Sequence, residues 1–236
     1  MIFITGDTHG EFNRFSSKNW KKGRDLTKDD YMVILGDFGL FWENPPTGAQ
    51  KYFQKWFHEK PWTTLFIDGN HENFDLVNSL PETEMFGGTV GVAGESIFHL
   101  KRGEIYNING NSILTLGGAT STDKAYRREG RSWWPEESIS GEDFEMTKRR
   151  LEEVDWSIDY VFTHTIPSRF LPEFGIENMT DQNSLTLEFI LSKLKYLKHW
   201  YCGHMHENRT FGNYRKEALV STVYQRILPL GSHFGD

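Results

Sequence analysis

Five short apolar runs punctuate the chain, each bounded by glycine or polar residues: MIFIT (1–5), YMVIL (31–35), TTLFI (63–67), YVFT (160–163) and HWYC (199–202). Apolar runs this short, without alternation, predict strands buried on both faces. Helical spacing appears between them. GAQKYFQKWFHEK (48–60) places Phe53, Trp56 and Phe57 at i, i+3 and i+4, and Pro61 stops it. SGEDFEMTKRRLEEV (140–154) opens with Ser140 and Asp143 at capping-box spacing. NSLTLEFILSKL (183–194) gathers Leu187, Ile190, Leu191 and Leu194 on one face. Strands alternating with helices in this way predict an α/β fold with parallel pairing.

A second pattern is antiparallel. EIYNINGNSILTLGG (104–118) reads as a hairpin turning at Asn109-Gly110, a type I′ signal. ENRTFGNYRKEALVSTVYQRIL (207–228) reads as further strands around Gly212-Asn213. A core of two mixed sheets, each with a helical outer layer, accommodates both patterns. No repeat or linker divides the chain, so one domain over 1–236 is expected, with 119–141 as a loop inserted near a site.

Composition narrows the picture. The 236 residues are enough for a sizeable core, and 15% aromatics make that core ring-rich. A net charge of −7 argues against a general nucleic-acid coat, leaving nucleic acid only as a substrate. The single cysteine, Cys202, excludes an internal disulfide and fits a reducing compartment; it is expected to be a small buried residue. The opening MIFITGDTHG lacks the features of a signal peptide, and no apolar run is long enough to span a membrane. A cytoplasmic protein is expected; oligomeric state stays open.

The chemistry lies immediately after each buried run. MIFIT leads into Gly6-Asp7-Thr8-His9 and YMVIL into Gly36-Asp37. TTLFI leads into Asp68-Gly69-Asn70-His71-Glu72, YVFT into His164, and HWYC into Gly203-His204-Met205-His206. Five strand ends thus deliver metal-ligand residue types to one edge, where α/β folds bind ligands. On extended backbone, Asp7 and His9 would point the same way, as would His204 and His206, with Met205 turned away to pack. Two carboxylates, an amide and several imidazoles exceed one tetrahedral ion. They suit two divalent ions about 3.5–4 Å apart, sharing a carboxylate. Mixed nitrogen and oxygen donors favour Mn, with Fe, Zn, Ni or Co as alternatives, over Ca.

Asp-x-His, Gly-Asp, Gly-Asn-His-Glu, a lone His and Gly-His-x-His, in that order from Asp7 to His206, resemble the signature of the calcineurin-like metallophosphoesterase superfamily. The resemblance implies a four-layer αββα sandwich with two β-sheets inside. It implies that Asp7, His9 and His206 hold a first metal, that Asp37 bridges, and that Asn70, His164 and His204 hold the second. His71 would sit beside the phosphoryl oxygens and help the leaving oxygen depart. The reaction implied is in-line attack on a phosphate ester by a metal-activated hydroxide, with no covalent enzyme intermediate.

The chain also departs from the superfamily's serine/threonine phosphatases, which read Gly-Asp-x-x-Asp-Arg-Gly at the second motif. Here Leu40 stands for the acid that orients the catalytic histidine and Phe41 for a phosphate-binding arginine; Asp68 stands where those enzymes carry arginine. Phosphoprotein specificity is therefore not carried over. The second histidine of Gly-His-x-His leans toward diesters or small-molecule esters, and monoester, diester and nuclease readings stay open. A non-catalytic scaffold would lack ligands that this chain retains. ATSTDKAYRREGRSWWPEES (119–138) carries Lys124, Arg127, Arg128 and Arg131 in an acidic protein. Its tryptophans are expected to cap the core, and Arg127 is the candidate substrate-binding residue, a clamp replacing the missing arginine. His58, His99, His199 and His233 belong to no motif and are expected to be structural.

Overall fold

The computed structural model describes residues 1–177, 180–214 and 218–235. Two mixed sheets lie face to face. In the first, β1 (Ile2–Thr5), β2 (Tyr31–Leu35), β3 (Thr63–Ile67) and β6 (Ile97–Leu100) run parallel. Antiparallel β13 (Leu228–Pro229) pairs with β1, and β5 (Gly88–Val92) and β4 (Glu82–Met85) follow β6. The second sheet runs β11 (Arg209–Tyr214), β12 (Ala218–Thr222), β10 (His199–Cys202), β9 (Tyr160–Thr163), β8 (Asn111–Leu116), β7 (Ile105–Ile108). Its central members β12, β10, β9 and β8 are parallel, and both edges are antiparallel.

Strand alternation divides the side chains into three buried layers. Ile2, Ile4, Val33, Leu35, Leu65 and Ile67 face Tyr106, Ile113, Phe162 and Tyr201 between the sheets. Their alternates Phe3, Met32, Ile34 and Phe66 meet Phe12, Phe15, Phe57 and Trp62 on the outer side, beneath α1 (Gly48–His58). On the far side Leu114, Leu116, Val161, Trp200 and Cys202 meet Leu151 of α3 (Gly141–Glu153) and Leu187, Ile190 and Leu191 of α4 (Gln182–Lys193). The architecture is the αββα sandwich, and burial on both faces is why the central strands read as unbroken apolar runs. Cys202 is buried, and Met205 packs against the outer cluster beneath α3 and α4.

The helix starts follow their capping chemistry. Thr47 and Gln50 form a capping box on α1, and Ser140 and Asp143 form one on α3. The hairpin at Asn109-Gly110 is present, with φ of 53° and 78°.

Two readings change. Gly212-Asn213 lies inside β11, where the register with β12 shifts between Phe211 and Tyr214, so the glycine marks a bulge rather than the turn. The link between β11 and β12 falls on 215–217, outside the described residues. The strands β4, β5 and β6 have no counterpart in the apolar pattern. Their first turn places Phe86 at φ 58° before Gly87 at 83°, and phenylalanine gives no turn signal. The 119–140 segment holds only two single-turn 3-10 helices, with Trp134 buried edge-on to Trp42 and Trp133 partly buried. Among the described residues no helix is long and apolar enough to cross a membrane.

Candidate metal centre

The exits of β1, β2, β3, β9 and β10 meet at one edge of the sandwich. They are stitched together by backbone bonds: Asp7 N–H donates to the Gly36 carbonyl at 3.2 Å and His9 N–H to the Asp37 carbonyl at 2.8 Å. The Asp7 carboxylate receives the His204 N–H at 2.9 and 3.0 Å, and the Asp37 carboxylate receives the His71 N–H at 2.8 Å. The exits are also crowded. A Cβ on Gly36 would strike the His164 ring, and one on Gly69 would strike the Asp37 carboxylate.

The extended-strand reading of Asp-x-His and His-x-His is corrected. Asp7, His9, Asp37, His204 and His206 sit at φ of 49°, 46°, 51°, 63° and 51°, all left-handed. The strands have ended before these residues, so their convergence comes from turns rather than alternation. Asp and His are among the residues that enter this region most readily, still at a cost of order 1–3 kcal/mol each. Strain held at five positions around one point marks a place the fold has been built to serve.

The side chains form two groups. In the first, His9 Nε2 lies 3.1 Å from His206 Nε2, and His206 Nε2 lies 3.5 Å from Asp7 Oδ1. In the second, His164 Nε2 lies 3.0 Å from Asn70 Oδ1, with the His204 ring 5.1 Å from the His164 ring. Asp37 Oδ2 stands between the groups, 3.6 Å from His9 Nε2 and 3.4 Å from His164 Nε2. Asp7, Asp37 and Asn70 are buried, His164 is wholly so, and His9 and His206 line the open side. Two clusters of donors, Asp7–His9–His206 and Asp7–Asp37–His164, are close enough within themselves to share an ion.

Charge follows the same division. Burial raises the Asp37 carboxyl, but His164, His71 and His9 outweigh it and hold the group below the usual carboxylate range. Burial lowers His164, yet Asp37 beside it raises the imidazole to about 10. Burial, assisted by His164, pushes His204 down to about 4. The hydrogen bond with Asp7 raises His206. The His164 Nδ1–H donates to the Leu35 carbonyl at 2.7 Å, which aims Nε2 at Asp37 and Asn70. Two imidazole nitrogens 3.1 Å apart, flanked by buried carboxylates, fit divalent cations: both can turn a lone pair toward one ion in place of the hydrogen bond between them.

His71 is half-buried, its ring edge-on to His9 at 5.5 Å, and burial lowers its imidazole. It opens onto a cavity of about 470 Å³ lined by Asp37, Asn70, Asp123, Phe174, His204 and His206. The expected departures have a structural use. Leu40 and Phe41 are buried in the aromatic core, with Phe41 stacked on Phe66 at 5.7 Å. Asp68 is buried too, bound by Arg102 at 2.6 and 2.8 Å and by His99 at 3.1 Å, so it holds β6 to β3.

Arg127 differs from its expectation. Its side chain is 8% exposed: Nη1 donates to Ser121 at 2.6 Å, while Nη2 pairs ionically with Glu137 at 3.2 Å without making a hydrogen bond. Sequence reasoning also passed over several neighbours. Arg14 donates to the Gly6 and Asp7 carbonyls at 2.7 and 3.2 Å, Tyr224 stacks on His206 at 4.6 Å, and Glu72 accepts the Phe38 N–H at 2.9 Å. Only Glu72 carried a signal, as the last residue of Gly-Asn-His-Glu.

Nitrogen and oxygen donors gathered behind the strands of an αββα sandwich form a candidate site for divalent metal ions. The chain matches the calcineurin-like phosphoesterase family over residues 1–208. It belongs to that family, whose members use divalent metal ions, and is a phosphoric ester hydrolase. It is 21% identical over 213 residues to a Fibrobacter succinogenes protein described as a "Probable cyclic nucleotide phosphodiesterase", covering 90% of this chain and 70% of the relative. The phosphopantetheinyl hydrolase of Mycobacterium tuberculosis shares the fold at a TM-score of 0.50 and 12% identity, over 94% of this chain and 89% of that one. A Staphylococcus aureus protein assigned as a 5′-nucleotidase shares it at 0.52 and 15% identity, over 95% of this chain and 48% of that one.

Proposed function

We propose that this chain hydrolyses small phosphate esters at a binuclear centre. The observation that carries the reading is the position of Asp37 Oδ2, 3.6 Å from His9 and 3.4 Å from His164, one carboxylate oxygen facing both halves of the site. Asp7, His9 and His206 would hold one ion and Asn70, His164 and His204 the other, with Asp37 placed to serve both. When bound, two divalent ions, Mn²⁺ foremost, supply positive charge for the phosphoryl oxygens and lower the pKa of water so that it can attack. The chain's own residues do the rest. The buried carboxylates of Asp37 and Asp7 fix the charge balance. His71, at the cavity wall, meets the phosphoryl or leaving oxygen; a neutral imidazole still carries one N–H to donate. Phe174 and Ile176 give the cavity an apolar side suited to an organic leaving group.

The diester reading has its own support in His206, which completes the first group, and in the name of the Fibrobacter relative. A phosphoprotein substrate has less, because the positions of the acid and the arginine are occupied by core residues Leu40 and Phe41.

The test is a Mn²⁺-supplemented panel of p-nitrophenyl phosphate, bis-p-nitrophenyl phosphate, cyclic and linear nucleotides and a phosphopeptide. Turnover of an ester other than the peptide, abolished by chelation, is expected. Absence of both bound metal and turnover would return the chain to a scaffold role.

A further inference from the structure

An asparagine that holds a cation must present its carbonyl oxygen, and nothing within the amide itself decides which end faces the ion. Burial sharpens the choice, because Asn70 is 2% exposed and its Nδ2 needs an acceptor on the side away from the centre. That acceptor is Ser121 Oγ, at 3.0 Å. A hydroxyl could equally donate, which would favour the reversed amide. Its neighbours remove that freedom. Arg127 Nη1, which can only donate, points at the same Oγ from 2.6 Å, and the Ser121 proton goes to the buried Glu137 carboxylate. Ser121 Oγ therefore accepts twice and donates once. A reversed Asn70 would set its oxygen against an oxygen whose only proton is already committed.

We propose that Ser121, polarised by Glu137 and Arg127, is the positioning residue that turns Asn70 Oδ1 toward the second ion. The assignment rests on the binuclear centre proposed for this chain, and it gives the 119–138 segment a function: the segment carries the device that orients a ligand on β3's exit. Its frame is independent of Asn70, since Gly118 N–H donates to the Asp68 carbonyl at 3.0 Å and Ala119 N–H to the Glu137 carbonyl at 2.9 Å. Thr120 bonds Asp181 and receives Asn183 Nδ2 at 2.8 Å.

The experiment titrates Mn²⁺ into the chelator-stripped full chain by calorimetry, with electron paramagnetic resonance to separate coupled ion pairs from isolated ions. Wild type is expected to bind two ions and to give the coupled spectrum. Ser121→Ala should weaken the second ion about 10- to 100-fold, the usual loss when a ligand's orienting partner is removed, and leave the first unchanged. At Mn²⁺ levels that fill wild type it should then show the isolated-ion spectrum. Ser121→Thr, which keeps the hydroxyl, should restore the pair. Thr120→Val, which loosens the segment without touching Asn70, should bind both ions as wild type does. Wild-type affinities in Ser121→Ala overturn the proposal, as does equal weakening of both ions in Ser121→Ala and Thr120→Val. A wild type that binds fewer than two ions overturns the binuclear reading itself, and this inference with it.

Discussion

His199 separates structural from functional histidines in a way that can be measured. It is 2% exposed, stacked on Tyr201 at 3.9 Å and 14°, with Nε2 2.8 Å from Ser221 Oγ. Burial, aided by His233, lowers its imidazole to about 3. An unfolded histidine takes up its proton near pH ~6.5. Between those values the unfolded chain binds one more proton than the folded one, so stability falls as the pH falls through that window. From pH 7 to pH 5 the two pKa values give a loss of about 2 kcal/mol from this residue. Urea unfolding of the metal-free protein at both pH values, for wild type and His199→Gln, isolates the effect. The other histidines titrate in both proteins and cancel in the comparison. The variant should lose about 2 kcal/mol less than wild type over that span. Equal losses would refute the assignment of a buried, neutral His199.

Other perturbations probe the core and the site. Phe57 is fully buried among Phe12, Phe15, Phe38 and Trp56, with ring centroids 4.9 to 5.5 Å away, so Phe57→Ala should cost about 3–5 kcal/mol in urea unfolding. Asp68→Ala removes the carboxylate oxygen that accepts two Arg102 N–H groups and should cost about 3–5 kcal/mol by the same assay; a loss below about 1 kcal/mol would mean that Asp143 and the Ser138 and Glu136 carbonyls suffice. His71→Asn should lower kcat by about 10²–10⁴-fold while metal content by elemental analysis stays at the wild-type level. Metal lost together with activity would instead make His71 a ligand.

The central strands were legible because both faces of β1, β2, β3, β9 and β10 are buried, which leaves little room for polar residues. The strands β4 to β6 were not: Glu82, Thr83 and Glu84 are exposed at a sheet edge, and although Gly87 and Gly88 mark the turn after Phe86, no alternating apolar pattern flanks them to identify the strands it joins. The order of the Asp, Asn and His motifs pointed to one edge, and the fold brings those residues together there. The backbone geometry was misjudged, since left-handed turns and extended strands can carry the same Asp-x-His spelling. Ser121 and Glu137 had no signal at all. Their relation to Asn70 exists only through a loop that returns 51 residues later, and no local spacing encodes it. The direction of the Arg127 guanidinium could not be read from the sequence, since Glu137, ten residues on, is the carboxylate it meets.

The central claim is that one carboxylate, Asp37, serves two ions. A crystal of the Mn²⁺-loaded protein, with anomalous scattering recorded at the manganese edge, tests it most directly. Two peaks about 3.5–4 Å apart are predicted, one beside Asp7, His9 and His206, the other beside Asn70, His164 and His204, with Asp37 touching both. A single peak, or a pair that Asp37 does not bridge, would contradict the account.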